Sequence, residues 1–212
     1  MLLWLAIREG MLGRDGLIFF AVLVPSIILH EVSHGYAALA FGDTTARDAG
    51  RLTLNPVAHI DPFGTLLLPA LMVLTTGSAF GFAKPVPVRP GMMRNPRTSS
   101  LLTSLAGPAT NLVLVGLATL AIRVLRPEDL VLQVLFFFGL SNVVLAVFNL
   151  LPVPPLDGSA LIEWLIPQRF LHIWWRFRTY SMVILLAIFL LQRDAFARLI
   201  NPVAELWYGW LF

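Results

Sequence analysis

Three long apolar stretches stand out in the pattern of hydrophobic and polar positions along the chain. They cover about residues 16–41, 98–125 and 130–151, and each is long enough for a membrane-spanning helix, which needs about 20 apolar residues. A fourth apolar stretch, residues 65–76, is short for a crossing and predicts a re-entrant or tilted helix. A last apolar run covers residues 180–191. The pattern predicts an all-α polytopic membrane protein, a bundle of about four to six transmembrane or re-entrant helices.

The segment between the first and second full spans is dense in proline and glycine. Its part "GFAKPVPVRPGMMRNPR" begins at Gly81 and cannot lie inside a helix, because proline has no amide hydrogen to donate. We expect a short β-like hairpin region here. After the third span, "PVPP" breaks the helix and "SALIEWLIP" predicts a short helix. There is no internal repeat, so we expect residues 1–212 to form a single domain with its core at 17–166.

Composition supports a membrane protein. Of 212 residues, 58% are hydrophobic and 13% are charged, and the mean hydropathy is +0.80, whereas soluble domains carry about 25% charged residues. The net charge is +3 and the basic residues lie mainly at the ends of apolar stretches, as membrane anchors do. No basic stripe indicates nucleic-acid binding. The chain has no cysteine, which excludes disulfides and thiolate metal sites.

The stretch "LHEVSHG" places ionisable side chains in the middle of the first apolar segment. His30 and His34 are four residues apart and share one face of a helix, while Glu31 points about 100° away. This is the H-E-x-x-H arrangement, in which two imidazoles bind zinc and the glutamate takes a proton from water. The alternative is a chance match. Because the chain has only four histidines and ionisable groups at membrane depth are costly, we predict one catalytic zinc ion per chain.

A catalytic zinc ion has three protein ligands, so a third is required. Asp157 follows the "PVPP" break, which can direct its carboxylate into the bundle; the alternative is that it caps the next helix. His59 and Asp61 in "NPVAHIDPFG" are the rival pair, and we favour hydrogen bonding near the site over ligation for both. The other candidates are Asp43, Glu163 and His172, the last interpreted as a residue of the membrane interface.

Asparagines within the apolar stretches form another group of candidates. Asn111 lies on one helical stripe with small residues, including Gly107, and such stripes commonly pack membrane helices together. An unpaired amide is costly in lipid, so Asn111 and Asn149 either hold a substrate carbonyl or oxyanion or bond between helices. We interpret Asn142 as a packing residue.

Together, "HEVSH", "SLAGPATN" and "NLLPVPPLDG" resemble, in order, the motifs of the site-2 protease family of intramembrane zinc metalloproteases. "GRLTLNPVAHIDPFGTLLLPAL" and "GFAKPVPV" are similar to short bacterial and archaeal members. The resemblance implies that His30, His34 and Asp157 bind zinc and that Glu31 is the catalytic base. It also implies that Asn111 and Asn149 lie near the active site.

The resemblance further implies an integral, multi-pass protein of a prokaryotic cell membrane. Its substrates would be membrane-anchored proteins, cut within or beside a transmembrane helix in the lipid bilayer. The chain has no room for the PDZ or CBS domain of many members, so a separate regulatory or substrate-presenting protein is a possible partner. The segment "GFAKPVPV" could offer an extended edge for an unwound substrate. The alternatives are a zinc transporter and an inactive binding protein of the same fold.

The basic residues give one indication of orientation. If residues 65–76 re-enter, one side collects nine of the fifteen lysines and arginines: Arg47, Arg51, Lys84, Arg89, Arg94, Arg97, Arg169, Arg176 and Arg178. If they cross, Arg8 and Arg14 replace Arg47 and Arg51, and the ratio stays nine to six. Because positive loops face the cytoplasm, both topologies place the loop at 84–97 there. They put the N-terminus on opposite sides of the membrane, so the charges do not place it.

Overall fold

The computed structural model describes residues 13–76, 81–191 and 193–211, and these residues are mainly helical. The α-helices are α1 (Arg14–Ala40), α2 (Thr45–Asp48), α3 (Leu68–Thr76), α4 (Pro96–Leu125), α5 (Asp129–Asn149), α6 (Ser159–Leu165), α7 (Leu171–Leu191) and α8 (Arg193–Leu211). Short 3₁₀ turns cover Pro56–His59, Pro90–Met92 and Gln168–Phe170, and a π-helical turn covers Pro62–Leu67. No strand occurs among the described residues.

Helices α1, α4 and α5 are long and apolar enough to cross a membrane. They have 27, 30 and 21 residues, or about 40, 45 and 31 Å at about 1.5 Å per residue. They pack against one another, and the three long apolar helices predicted from the sequence are confirmed as candidate spans. In the part of the chain that the structure describes, no other helix meets the same criteria, so the higher count of four to six is not confirmed.

The turn after α5 brings the chain back towards the bundle. The amide of Gly158 donates a hydrogen bond to the carbonyl oxygen of Asn149 at 2.7 Å, which closes the "LLPVPPLD" loop onto the end of α5. A Cβ at position 158 would collide with the carbonyl of Leu150, so only glycine permits this close approach. The predicted short helix follows as α6. The loop therefore presents Asp157 to the end of the bundle formed by α1, α4 and α5.

The long connection between α1 and α4 begins and ends at the same end of the bundle. The amide of Arg94, just before α4, donates to the carbonyl of Phe41, just after α1, at 3.1 Å. The intervening chain, which includes α3, therefore leaves this end and returns to it without a net crossing. This favours the re-entrant alternative for residues 65–76.

The β-like hairpin predicted from residue 81 onward is not confirmed. Residues 81–89 have no strand pairing, and their amides instead bond individually to scattered acceptors: Phe82 to the Gly64 carbonyl, Lys84 to the His59 carbonyl, Val86 to Glu31 and Arg89 to Asp43. The spacing of the first three donors by two is that of extended backbone. Pro85 and Pro87 have no amide hydrogen for the opposite edge, so a regular ladder does not form there.

Asp43 holds one end of this segment to the end of α1. Its buried carboxylate accepts hydrogen bonds from the amide of Arg89 at 2.5 Å and from the amide and hydroxyl of Thr45 at 2.9 and 2.5 Å. Burial acts to raise the pKa of this carboxyl group, but the hydrogen bonds outweigh it and hold the pKa below its usual value. Asp43 is thus a structural anchor.

Candidate metal centre

Three donor atoms converge where α1 meets the turn before α6. His30 and His34 lie one helical turn apart, and their Nε2 atoms are 3.1 Å apart. Asp157 Oδ2 lies 3.1 Å from Nε2 of His30 and 3.3 Å from Nε2 of His34. Both histidines are buried and the aspartate is half-buried. Among the described residues, this is the group of histidine and carboxylate side chains that could hold a metal ion.

The other ring nitrogen of each histidine is held by an oxygen atom. His34 Nδ1 lies 2.7 Å from the backbone carbonyl of Thr103, and His30 Nδ1 lies 2.5 Å from Oδ1 of Asn111. A carbonyl oxygen only accepts hydrogen bonds, so each Nδ1 carries the hydrogen. In the neutral imidazoles both Nε2 atoms therefore present lone pairs to the point of convergence.

These distances fit a zinc ion. Two imidazole lone pairs and a carboxylate oxygen would repel each other at this separation without a cation between them. The Oδ2 atom of Asp157 is buried and receives no hydrogen bond from any described residue. Zinc bound at about 2.0–2.1 Å in tetrahedral geometry requires ligand atoms about 3.3–3.4 Å apart, close to the observed 3.1–3.3 Å.

Gly107 of α4 keeps this space open. A Cβ at position 107 would lie 2.6 Å from Nε2 of His30 and against Nε2 of His34, so any other side chain would enter the metal centre. The sequence indicated only that Gly107 packs helices. Its position four residues before Asn111 on the same helix face was the available signal.

Glu31 lies next to this group and is half-buried. Its Oε2 accepts a hydrogen bond from the amide of Val86 at 3.0 Å. Within the described part of the chain, Oε1 receives no hydrogen bond. The carboxylate is thus fixed at one oxygen while the other remains available to accept a proton. No pattern in the sequence indicated the Val86 contact.

The rival pair lies apart from the converged group. Asp61 Oδ1 accepts hydrogen bonds from the amides of Phe63 and Gly64 at 3.0 and 2.6 Å and caps the π-helical turn. His59 Nε2 lies 2.9 Å from the carbonyl oxygen of Thr53. Both residues therefore shape the connection between α1 and α4.

The other candidates for a third ligand also have different contacts. Glu163 accepts hydrogen bonds from Trp174, Trp175 and Arg178, which joins α6 to α7. His172 is an exposed residue of α7. Asp43 anchors the extended segment at residues 81–89.

The two asparagines predicted near the site differ in their contacts. Asn111 is fully buried, and its amide joins His30 to Asn142 of α5 at 2.5 and 2.8 Å, so it bonds between helices. Asn149 donates from Nδ2 to the Leu145 carbonyl of its own helix at 3.0 Å. Asn142, interpreted from the sequence as packing, belongs to the same hydrogen-bonded group as Asn111.

Comparisons with known proteins agree with this class of site. Residues 123–191, which include Asp157, match the model of "Peptidase family M50". A Bacillus subtilis (strain 168) protein named "Putative zinc metalloprotease YwhC" is 38% identical over 176 residues, covering 79% of this chain and 77% of the relative. No solved structure matches the chain.

Two further relatives match over shorter regions. "Putative zinc metalloprotease Rip2" of Mycolicibacterium smegmatis is 37% identical over 143 residues, so that 65% of this chain spans about half, 53%, of the relative. "Putative zinc metalloprotease MJ0611" of Methanocaldococcus jannaschii is 36% identical over 61 residues, covering 29% of this chain and 32% of the relative.

The fold and the site define a helical protein with membrane-type helices and a group of side chains suited to a metal ion. The chain belongs to peptidase family M50, the site-2 protease family. The resemblance seen in the sequence motifs is confirmed, and zinc, the metal named for these relatives, matches the donor set of His30, His34 and Asp157.

Proposed function

We propose that this protein is an intramembrane zinc metalloendopeptidase that hydrolyses peptide bonds within or next to transmembrane helices of membrane-anchored proteins. We place it in a prokaryotic cell membrane, with His30, His34 and Asp157 as ligands of one zinc ion. The observation that carries the proposal is the convergence of two imidazole lone pairs and a carboxylate oxygen, 3.1–3.3 Å apart, beside a glutamate in a membrane-type helix.

Each residue of the site has a chemical role in this proposal. Zinc bound here would supply Lewis acidity, polarise a peptide carbonyl and lower the pKa of water to about 7. Glu31 accepts a proton from the attacking water at Oε1, because Oε2 is engaged with the amide of Val86. It then delivers that proton to the departing amine. Asp157 contributes negative charge that balances the cation.

The amides have different roles. Asn111 acts through His30, since both ends of its side chain are engaged. Asn149 remains a candidate to hold the substrate carbonyl, because an amide nitrogen has two hydrogens and one bond, to Leu145, is present. A substrate helix must unwind before cleavage, since helical carbonyls are hydrogen-bonded. Pairing of such a strand with residues 81–88 stays a prediction.

The two alternatives are a zinc transporter and an inactive binding protein. A transport path requires successive binding positions, whereas the described residues provide one group of three donors. An inactive binding protein does not require a carboxylate such as that of Glu31, which is fixed at one oxygen beside the metal-binding side chains. These observations favour the peptidase. A separate regulatory or substrate-presenting partner stays a prediction.

Sequencing of new protein termini tests the function and finds the substrate in the same experiment. Wild type and Glu31→Gln are expressed at equal levels in a bacterial membrane, and the termini of membrane proteins are compared by mass spectrometry. We expect new termini within or beside transmembrane helices with wild type only, while both proteins bind one zinc ion per chain. Identical termini in the two samples would contradict the peptidase, and retained zinc would then favour the binding protein.

A further inference from the structure

A continuous chain of buried hydrogen bonds leads away from the metal centre. His30 Nδ1 bonds to Asn111 Oδ1, and Asn111 Nδ2 donates to Asn142 Oδ1 at 2.8 Å. Asn142 Nδ2 donates to Ser26 Oγ at 2.9 Å, and Ser26 is fully buried, like both asparagines. The chain passes from α1 through α4 and α5 and returns to α1 one turn before His30.

The far end of this chain fixes the direction of every bond in it. Ser26 Oγ donates its only hydrogen to the backbone carbonyl of Val22 at 2.8 Å, so it can only accept from Asn142. Asn142 Nδ2 uses its second hydrogen on the carbonyl of Phe138 at 2.8 Å. Both carbonyls are pure acceptors, so Asn142 must present Nδ2 to Ser26 and Phe138, and Oδ1 to Asn111.

The same constraint passes to His30. Because Asn142 presents an acceptor, Asn111 must direct Nδ2 towards it and Oδ1 towards the imidazole. Rotation of the Asn111 amide by half a turn would leave mismatched polar groups in a buried site, which is unfavourable because these groups have lost their hydrogen bonds to water. The hydrogen of His30 is thereby held on Nδ1, and the lone pair of Nε2 faces the metal centre.

We propose that Asn142 and Ser26 are positioning residues that, through Asn111, fix the tautomer of His30 and so prepare its Nε2 for zinc. The proposal rests on the zinc site of the proposed function. It differs from helix packing, because a packing role requires the side chains to fill space and bond, but not to bond in one direction.

Two serines provide a matched pair for the test. Ser26 and Ser141 are both fully buried, and each hydroxyl donates to the carbonyl four residues earlier in its own helix. Ser26 Oγ alone also accepts from Asn142. Ser26→Ala and Ser141→Ala therefore remove the same local hydrogen bond, and only the first removes a member of the chain that ends at His30.

The measurement is zinc affinity by chelator competition on the purified full-length protein, alongside its thermal unfolding. Outer partners of metal-binding histidines affect metal affinity by about 10–100-fold, so we expect Asn142→Leu to lower affinity at least about 10-fold. We expect Ser26→Ala to lower it less, and Ser141→Ala to retain the wild-type value. The two serine variants should unfold at similar temperatures.

A conservative rescue separates positioning from packing. The carboxylate that Asn111→Asp introduces has two acceptor oxygens, so it accepts from His30 Nδ1 without guidance from Asn142. We expect the double variant Asn111→Asp/Asn142→Leu to bind zinc more tightly than Asn142→Leu alone. A pure packing role for Asn142 predicts instead that the second substitution lowers zinc affinity further.

The possible outcomes distinguish the positioning role from the proposed function. Wild-type zinc affinity in Asn142→Leu would overturn the positioning role alone, and equal zinc affinity in the two serine variants would exclude Ser26 from it. If wild type itself binds no zinc, or His30→Ala retains it, the proposed function fails and the positioning role fails with it. If the double variant does not fold, the serine pair still decides.

Discussion

Gly107 has no Cβ, and any other residue at this position would place its Cβ against the imidazole rings of His30 and His34. We expect Gly107→Ala to lower zinc affinity at least about 10-fold, because the methyl group occupies the space at both Nε2 atoms. Zinc content after dialysis against a weak chelator measures this effect.

Gly116 is the matched control for this substitution. It lies in the same helix, and a Cβ there meets open space. Gly116→Ala should retain zinc and raise helix stability by up to about 1 kcal/mol. Equal zinc content in the two variants would show that Gly107 does not border the metal.

Asp157 and Asp61 offer a second comparison. Asp157→Asn removes the negative charge from one of the three converging donor atoms, so zinc content should fall sharply while the fold persists. Asp61→Asn should leave zinc in place, because asparagine caps a helix as well as aspartate does. The test is zinc stoichiometry together with thermal unfolding, and zinc loss in Asp61→Asn alone would move the third ligand to the connection between α1 and α4.

The sequence was informative about individual residues where their chemistry is rare in an apolar segment. His30, Glu31 and His34 could be recognised because three ionisable groups in a membrane-type helix have few structural explanations. Gly107 and Ser26 could not, because small residues in such helices are common and usually pack. Their roles depend on which side chain lies opposite, which is a property of the tertiary structure.

Among the elements, the extended segment at residues 81–89 makes the most specific contact with the site. The amide of Val86 donates to Glu31 at 3.0 Å, and the buried Val86 side chain packs near Gly35 of α1. Amides on both sides of this contact are also bonded, that of Lys84 to the His59 carbonyl and that of Arg89 to Asp43. The segment therefore holds the orientation of Glu31.

Substitution of Val86 can separate its amide from its side chain. Val86→Pro removes the hydrogen bond to Glu31, and we expect at least about a 10-fold loss of cleavage, within the range of general acid–base catalysis, with zinc retained. Val86→Ala keeps the amide and should retain cleavage, although the smaller side chain lowers stability. Equal cleavage by the two variants at a temperature where both are folded would exclude this positioning role.

The helices were easier to predict than this segment. α1, α4 and α5 follow from long apolar runs whose length matches a bilayer. For residues 81–89, proline and glycine indicate only that the backbone is not helical. Which acceptors its amides find depends on distant residues, so the predicted hairpin could not be distinguished from an extended segment with scattered partners.

For the molecule as a whole, the contact between Phe41 and Arg94 bears on orientation. The lysines and arginines divide nine to six whether residues 65–76 cross or re-enter, so the sequence alone could not place the start of α1. Because the connection returns to its own end, the positive-inside rule predicts that this end faces the cytoplasm and that the start of α1, like the α4–α5 loop, lies on the opposite side.

Cysteine labelling checks this orientation on an otherwise cysteine-free chain. Gly91→Cys and Glu128→Cys introduce a thiol at exposed positions on the two ends. We expect an impermeant maleimide to label Glu128→Cys in intact cells and Gly91→Cys only after lysis. The reverse pattern would invert the topology, and labelling of both in intact cells would contradict a membrane crossing by α4.

The origin of the third donor in the turn after α5 also sets an order of events during synthesis. The ribosome delivers His30 and His34 to the membrane early, and Asp157 follows only after α4 and α5 have been made. With the proposed ligands, a nascent chain that has inserted only α1 holds two donors, and two are fewer than a catalytic zinc site requires. Under the proposed function, the zinc site is therefore complete only after α5 and the turn that follows it have been synthesised.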